Sequence, residues 1–454
     1  MEDRSGFKAR ENAMIAGGMN SPTGPLDMGT VTRAEAAVLG ACEVASPLGR
    51  EVPDRMILPG AGADEPYIDF ERAGPRNRLY FDPARSRAGI VTCGGLCPGL
   101  NNVLRSLFFE LHHRYGVPEI LGFRYGYAGL DPSNGLAPVR MTPEVVHGIH
   151  NVGGTILGTS RGPVNAVVAI DYLMRLGVDM LFCVGGDGTL RGAHALHEEA
   201  VRRGYPLSVI GIPKTVDNDI EYVWRTFGYS TAVEEAAHII DSAHVEATSH
   251  LNGIGLVKLM GREAGFLACG ATLASQDVNF ALIPEVPFEL DGEQGLLRLL
   301  ERRLRAKQHA VIVIAEGAAQ DHVAGNGNGT DASGNVKLKD CGVWLKDRIE
   351  EYFKTRRVPI SLKYFDPSYI VRSSRANKDD ALLCDQFARY AAHAAMAGRT
   401  DIVVGLWYNV FVHVPIPMVM RRARRVGEHG EVWSAVLAAT GQPAHIGTAA
   451  PVPA

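Results

Sequence analysis

The 454-residue sequence contains no apolar run near the roughly 18 residues that a membrane-spanning helix requires, although 46% of its residues are apolar. It also lacks a hydrophobic region in its opening MEDRSGFKAR, so nothing argues for export and a cytoplasmic protein without a membrane partner is expected. Basic charge is not in excess: 46 Lys and Arg stand against 50 Asp and Glu, a net charge of -4. That balance removes nucleic acid and anionic membranes as main partners, but leaves room for a small anionic substrate, which needs only a local basic cluster. Cysteine is sparse and odd in number, with seven residues scattered through apolar strings such as LFCVGG. A disulfide framework is thereby excluded in favour of reduced thiols. Cys93 and Cys97 have no matching Cys or His pair for a metal.

What is present is an alternation. Residues 1–85 mix charged residues with Pro and Gly and show no sustained period, which reads as an N-terminal extension packed on the body. From Gly89 onward, short apolar or β-branched runs end in glycine-rich turns and lead into helical periodicity. AGIVTCGGLCPG precedes a helix with Val103, Leu104, Leu107, Phe108 and Leu111 on one face. DMLFCVGGDGT, LSVIGIPKT, NGIGLVKLMGR and AVIVIAEG repeat the grammar. Repeated βα units predict an α/β fold of parallel sheets covered by helices, with ligands at the carboxyl ends of the strands. The stretch DHVAGNGNGTDASGNVKLKD reads as a surface loop, and the closing GQPAHIGTAAPVPA as a tail with little order.

The chemistry-bearing residues cluster at these strand ends. In VGGDGTLRGA, Gly185, Gly186 and Gly188 let backbone N–H groups converge on an anion at a helix start. Asp187 would repel a phosphate there unless Mg²⁺ lay between them. The same letters serve an ordinary strand-to-helix turn, so the stretch gains weight from its neighbours. In VIGIPKTVDNDI, Pro213 is expected to stop ladder pairing, and Lys214, Thr215, Asp217 and Asp219 emerge at the same sheet edge. If the segment stays extended, the two aspartates share a side and Asn218 faces away. One carboxylate can take a proton from an attacking hydroxyl while the other anchors a metal, and Lys214 adds a positive charge beside the transferring group. Gly94 and Gly95 end another strand, and Arg161 in GGTILGTSRGP is the natural clamp for a polyphosphate. Arg262 and Arg372 are placed to clamp a second phosphate, on the acceptor. His194 and His197 read as helix-face residues. MRRARR, Met420 to Arg425, reads as a basic helix face, solvated or facing an anionic effector.

GGLCPGLNN, GGTILGTSRG, VGGDGT, PKTVDND, VKLMGRE, AEG and YFDPSYIVRS, in this order, resemble the 6-phosphofructokinase family. The resemblance covers about residues 70–445 and is greatest to the long, eukaryote-like and plant-like branch, which also carries RAGPR (Arg72 to Arg76) at the end of its extension. It implies two doubly wound parallel-sheet domains with the active site in the cleft. Residues 86–228 plus 371–425 would form the nucleotide domain, 229–370 the sugar-phosphate domain and 426–454 a C-terminal tail. It further implies glycolytic, allosterically regulated transfer of the ATP γ-phosphoryl group to the 1-hydroxyl of fructose 6-phosphate. Asp217 matches the general base, Thr215 a positioning residue, and Asp187 and Asp219 the acids that organise Mg²⁺. Gly95, Arg161, Gly186, Asp187, Gly188 and Thr189 fall on the ATP side. Met260, Gly261, Arg262, Glu316, Lys363, Tyr369 and Arg372 match the sugar-phosphate pocket, Lys363 standing where the bacterial branch has arginine. Gly253 replaces an arginine that the short bacterial branch donates across a subunit interface. A homo-oligomer, dimer or tetramer, is implied.

The donor is read from two positions. Pyrophosphate-using relatives carry aspartate at the place of Gly188, so Gly188 favours ATP. Lys214 is shared with pyrophosphate enzymes, but long-branch ATP enzymes combine the glycine with the lysine. The alternatives are pyrophosphate use with the same acceptor, a NAD-kinase or diacylglycerol-kinase type of enzyme, which leaves PKTVDND and KLMGRE unexplained, and a non-catalytic effector-binding subunit. The last should have lost an acid or a cation, whereas Asp187, Thr215, Asp217, Asp219, Arg262 and Arg372 are all present.

Overall fold

The structure, a computed structural model, describes residues 31–48, 54–62, 64–323, 329 and 337–447. It holds two main sheets. In the larger, of ten strands, a parallel centre runs Ile402–Trp407, Ser208–Pro213, Met180–Gly185, Arg87–Thr92 and Glu119–Phe123. Every residue of Met180–Gly185, Ser208–Pro213 and Ile402–Trp407 is buried, as continuous apolar runs are when helices cover both faces. Helices Leu100–Phe109 and Lys378–Met396 pack against each other, as do Ala166–Leu176 and Asp187–Arg202.

The smaller sheet is wholly parallel, in the order Phe280–Leu282, His309–Ala315, Gly253–Leu259 and Ser361–Phe365. Its period-two alternation divides two cores. Val257, Leu259, Val311 and Val313 join the large core, while Ile254, Leu256, Ile312 and Ile314 build a second one with Leu345 and Phe353. Helix Tyr229–Thr248 packs on this sheet through Ala236, Ala243 and Ala247. The approach is close enough that a Cβ on Gly255 would stand 2.8 Å from the Ala243 carbonyl oxygen.

Three expectations change. The N-terminal extension is not merely packed on the body: its strand Glu65–Arg72 pairs antiparallel with Val410–Pro415, and Val31–Arg33 and Arg55–Gly62 pair with it in turn. Its period is obscured because the strands lie at the sheet margin, where burial is irregular. The closing GQPAHIGTAAPVPA, expected to have little order, is fastened to the body over its described part, residues 441–447, behind a helix that precedes it. Helix Glu431–Thr440 docks on helix Phe266–Ser275 through buried Trp433. Gln442 donates to the Ala281 carbonyl at 3.2 Å and accepts from the Ala281 N–H at 2.7 Å, so polar residues there cap a sheet edge. Pro213 does not stop the ladder: it lies opposite Gly185, and the Lys214 N–H donates to the Gly185 carbonyl at 3.0 Å. The missing proline N–H faces the other neighbour, with which pairing has ended at Gly211. Most of the Asp321–Asp340 loop lies outside the described residues.

Candidate active site

The carboxyl ends of both sheets supply the site. From the large sheet, the turn after Arg87–Thr92 is fastened to the 158–160 loop: Gly94 N donates to Ser160 O at 2.9 Å, and Thr159 Oγ1 to Gly94 O at 2.6 Å. Gly94 is left-handed at φ +83°, and a Cβ there would stand 3.1 Å from Lys214 Nζ. The buried Lys214 ammonium reaches across to donate to the Gly95 carbonyl at 2.5 Å, and Arg161 borders Gly95 on the other side. Helix Asp187–Arg202 begins at Gly186 with no side-chain cap, so its first N–H groups stay available to an anion. A Cβ on Gly188 would meet nothing within 4 Å, and Asp187 beside it pairs with Arg191.

The segment after Pro213 folds as a turn rather than an extension. Asn218 takes a left-handed φ of 54° and is buried, accepting from Thr226 N at 2.9 Å and donating to Trp224 O at 3.2 Å. The extended geometry expected to give Asp217 and Asp219 a shared side is therefore not formed, and the turn's inward residue is Asn218. The Thr215 hydroxyl accepts from the Asp217 N–H at 3.1 Å and lies on the side of Asp219, whose proton affinity it lowers.

From the small sheet, Glu316 N donates to Leu259 O at 2.8 Å and Gly317 N to Gly261 O at 3.0 Å, which ties the two strand ends together. Gly261 is left-handed at φ +125°, and Gly317 approaches so closely that a Cβ would overlap the Arg262 carbonyl.

Electrostatics shows the two sheets meeting. Asp217 is pushed well above the usual carboxylate range, first by burial, then by the charges of Asp219 and Glu316, with Arg372 and the Arg262 backbone pulling the other way. Asp219 is also raised, by burial and by Asp187 and Glu263, against the Thr215 hydrogen bond. Lys214 is lowered by burial and by the like charges of Arg372 and Arg161. Asp217 Oδ1 is buried without a hydrogen-bond partner.

Asp217, Asp219, Asp187, Lys214, Thr215, Arg161, Arg262, Arg372, Glu316, Gly95, Gly186, Gly188 and Gly261 are therefore brought together, with buried Met260 shaping the backbone beneath. Three others are placed differently. Thr189 turns inward and packs against Gly185, its carbonyl accepting from Tyr127 OH at 2.5 Å, so its side chain shapes the turn. Lys363 sits on the edge strand opposite Gly255, well before Met260 in the neighbouring strand. Tyr369 is 82% exposed. His194 and His197 hold their helix to Asp401 and Thr400. MRRARR is not a helix face: the helix ends at Val419, and Arg421, Arg422 and Arg425 pair with Glu65, Glu221 and Glu263. Interleaved acids elsewhere in the chain balance this run, which its own letters cannot show.

A family model described as Phosphofructokinase matches residues 87–395. The ATP-dependent 6-phosphofructokinase of Borreliella burgdorferi is 48% identical, over 82% of this chain and 85% of its own length. That of Amycolatopsis methanolica is 49% identical, over 84% of each chain. ATP-dependent 6-phosphofructokinase 7 of Arabidopsis thaliana is 44% identical, over 87% of this chain and 81% of its own. Among solved structures, a pyrophosphate-dependent phosphofructokinase from Marinobacter aquaeolei superposes with a TM-score of 0.65 at 18% identity, over 78% of this chain and 91% of that one. Pichia pastoris phosphofructokinase in the T-state gives 0.62 at 22% identity, over 78% of this chain and 37% of that one, a likeness of fold. Among the described residues no helix is long and apolar enough to cross a membrane.

Proposed function

The chain belongs to the phosphofructokinase family, and from that premise we propose that it is an ATP-dependent 6-phosphofructokinase, forming fructose 1,6-bisphosphate and ADP in glycolysis. The observation that carries the catalytic reading is Asp217 Oδ1, a buried carboxylate oxygen left without a partner where the ends of both sheets meet. A carboxylate whose proton affinity is raised is suited to accept the proton of the 1-hydroxyl. Thr215 holds the turn that presents it. Lys214 and Arg161 neutralise charge on the transferring group from the large-sheet side, while Arg262 and Arg372 face the sugar phosphate and Glu316 accepts its hydroxyls. Residues 86–228 plus 371–425 take the nucleotide and 229–370 the sugar phosphate. The strands of the large and small sheets support that division, apart from the margins supplied by the N-terminal extension.

The residues fit Mg²⁺. The mutual repulsion of Asp219 and Asp187 is what a divalent cation relieves. Among the described residues no three His, Cys, Asp or Glu gather as a ligand set. This suits an ion held by one or two carboxylates and completed by nucleotide phosphates. When bound, Mg²⁺ supplies charge neutralisation to those phosphates. The open space at Gly188 supports ATP as donor. Seven free cysteines, six of them buried, support a reducing compartment, here the cytoplasm. The separation of Lys363 and exposed Tyr369 from the carboxylates within one chain supports a homo-oligomer in which subunits share the sugar-phosphate pocket.

The test is fructose 1,6-bisphosphate formation from fructose 6-phosphate and Mg²⁺, with ATP and pyrophosphate offered separately. Activity with ATP alone is expected. Activity with pyrophosphate alone would overturn the donor assignment, and silence with both would favour a non-catalytic subunit.

A further inference from the structure

The carboxylate turn is held in place from outside by a segment that the sequence presents only as a run of arginines. Two non-glycine residues of the turn, Asn218 and Tyr222, are left-handed, at φ 54° and 59°. Such backbone persists only where its surroundings over-determine it. The strand-like stretch 422–426 does this. Ala423 forms an antiparallel bridge with Ile220, and Arg424 N donates to the Asp219 carbonyl at 2.8 Å. The Arg424 side chain then folds over the far end of the turn, donating through Nη1 to Trp224 O at 2.8 Å and Val223 O at 3.2 Å. Its guanidinium lies between two rings, 5.2 Å from the centre of Trp224 and 4.5 Å from that of Phe266.

Phe266 opens the helix that follows Arg262, so one side chain grips the large-sheet turn and rests on the small-sheet turn. Neighbours repeat the stitch. Arg422 pairs with Glu221 at 3.3 Å and Arg425 with Glu263 at 3.2 Å. Glu285 accepts from both Val426 N at 2.8 Å and Gly265 N at 2.9 Å.

We propose that Arg424 is a positioning residue, which touches no reacting atom but fixes the turn bearing Asp217 and Asp219 against the turn bearing Arg262. The proposal rests on the kinase reading above for its catalytic consequence and on contacts alone for its structural one. Lysine does not replace the arginine, because a compact ammonium can reach the two carbonyls but has no planar face to lie against the Trp224 and Phe266 rings.

The experiment compares Arg424→Lys and Arg424→Met with Arg421→Ala, whose lost partner, Glu65, keeps its hydrogen bond from the Tyr222 hydroxyl and so its contact with the turn. A small misplacement of the base is costly, so kcat for Arg424→Lys should fall roughly tenfold to a hundredfold. KM for ATP and fructose 6-phosphate should stay within about threefold, because no substrate contact is removed. Amide exchange measured by mass spectrometry should accelerate roughly tenfold in 217–226, with both sheets unchanged. Arg421→Ala should match the wild type in kcat. Wild-type kcat in Arg424→Lys with unchanged exchange at 217–226, or acceleration spread over both sheets, would overturn the proposal. An inactive wild-type protein would defeat the kinase reading instead, and the exchange pattern would still decide the role of Arg424.

Discussion

Asp217 and Glu71 are two buried carboxylates served by the same large sheet, and burial pushes both toward protonation. They end on opposite sides of the usual range. Glu71 accepts from Arg399 Nε at 2.8 and 3.0 Å and lies 3.1 Å from His413 Nδ1, with Arg76 Nη2 at 3.4 Å. Those partners outweigh burial and hold it far below an ordinary glutamate. Asp217 faces Asp219 and Glu316, with only Arg372 and one backbone group against them. Burial acts in the same direction on both, and unequal partners separate a staple from a site: the first is complete within the chain, and the second awaits charge from a ligand.

The largest test of that difference is to remove each carboxylate. Asp217→Asn should lower kcat by roughly 10²- to 10⁴-fold, the contribution of a positioned base. KM should change little and the thermal midpoint should not fall, because a carboxylate with one buried, unpartnered oxygen and two acidic neighbours is lost. Near-normal turnover would take Asp217 out of the base role, and a large fall in midpoint would make it a second staple. Glu71→Gln should do the reverse, costing about 3–5 kcal/mol by leaving Arg399 with no carboxylate, as read by urea unfolding at neutral pH. Turnover of the folded fraction should be unchanged.

The site was more legible in the sequence than the staple, for a physical reason. Phosphate cradles need glycines, strand ends and acids at short spacing, so VGGDGT and PKTVDND carry their chemistry in contiguous letters. Glu71, His413, Arg399 and Arg76 meet only after a marginal strand from the extension pairs with Val410–Pro415, and no local pattern announces that pairing. The same limit explains Arg424, whose partners lie about two hundred residues away along the chain. It also explains Thr189, inside a legible motif, whose inward turn follows from the packing of Gly185 against it.

A smaller effect probes the open side of the site. Gly188 has a free Cβ direction, so Gly188→Asp should fold normally. The added carboxylate, beside Asp187, should oppose the nucleotide phosphates and lower kcat/KM for ATP by about a hundredfold, the scale of one misplaced charge at a phosphoryl site. An unchanged value for ATP would mean that this direction does not face the donor.

The finest test separates the members of the staple by pH. The folded state depresses the pKa of Glu71, so its stabilisation is complete above the unfolded carboxylate value of about 4.3 and is lost as pH falls below it. At pH 3 that single group should cost the wild type about 2 kcal/mol relative to neutral pH. His413 is also depressed, because burial resists its charge, so the unfolded state takes up that proton first and stability begins to fall earlier, as pH drops through about 6.5. Glu71→Gln should therefore keep the loss that begins near pH 6.5 and abolish the additional loss below about pH 4.3. His413→Gln should keep the lower limb and make the upper one shallower, the remainder coming from buried His393, which is depressed in the same way. If the Glu71 variant instead retained the full acid limb, other carboxylates would govern acid unfolding, and the contrast with Asp217 would concern hydrogen bonding without a matching contribution to stability.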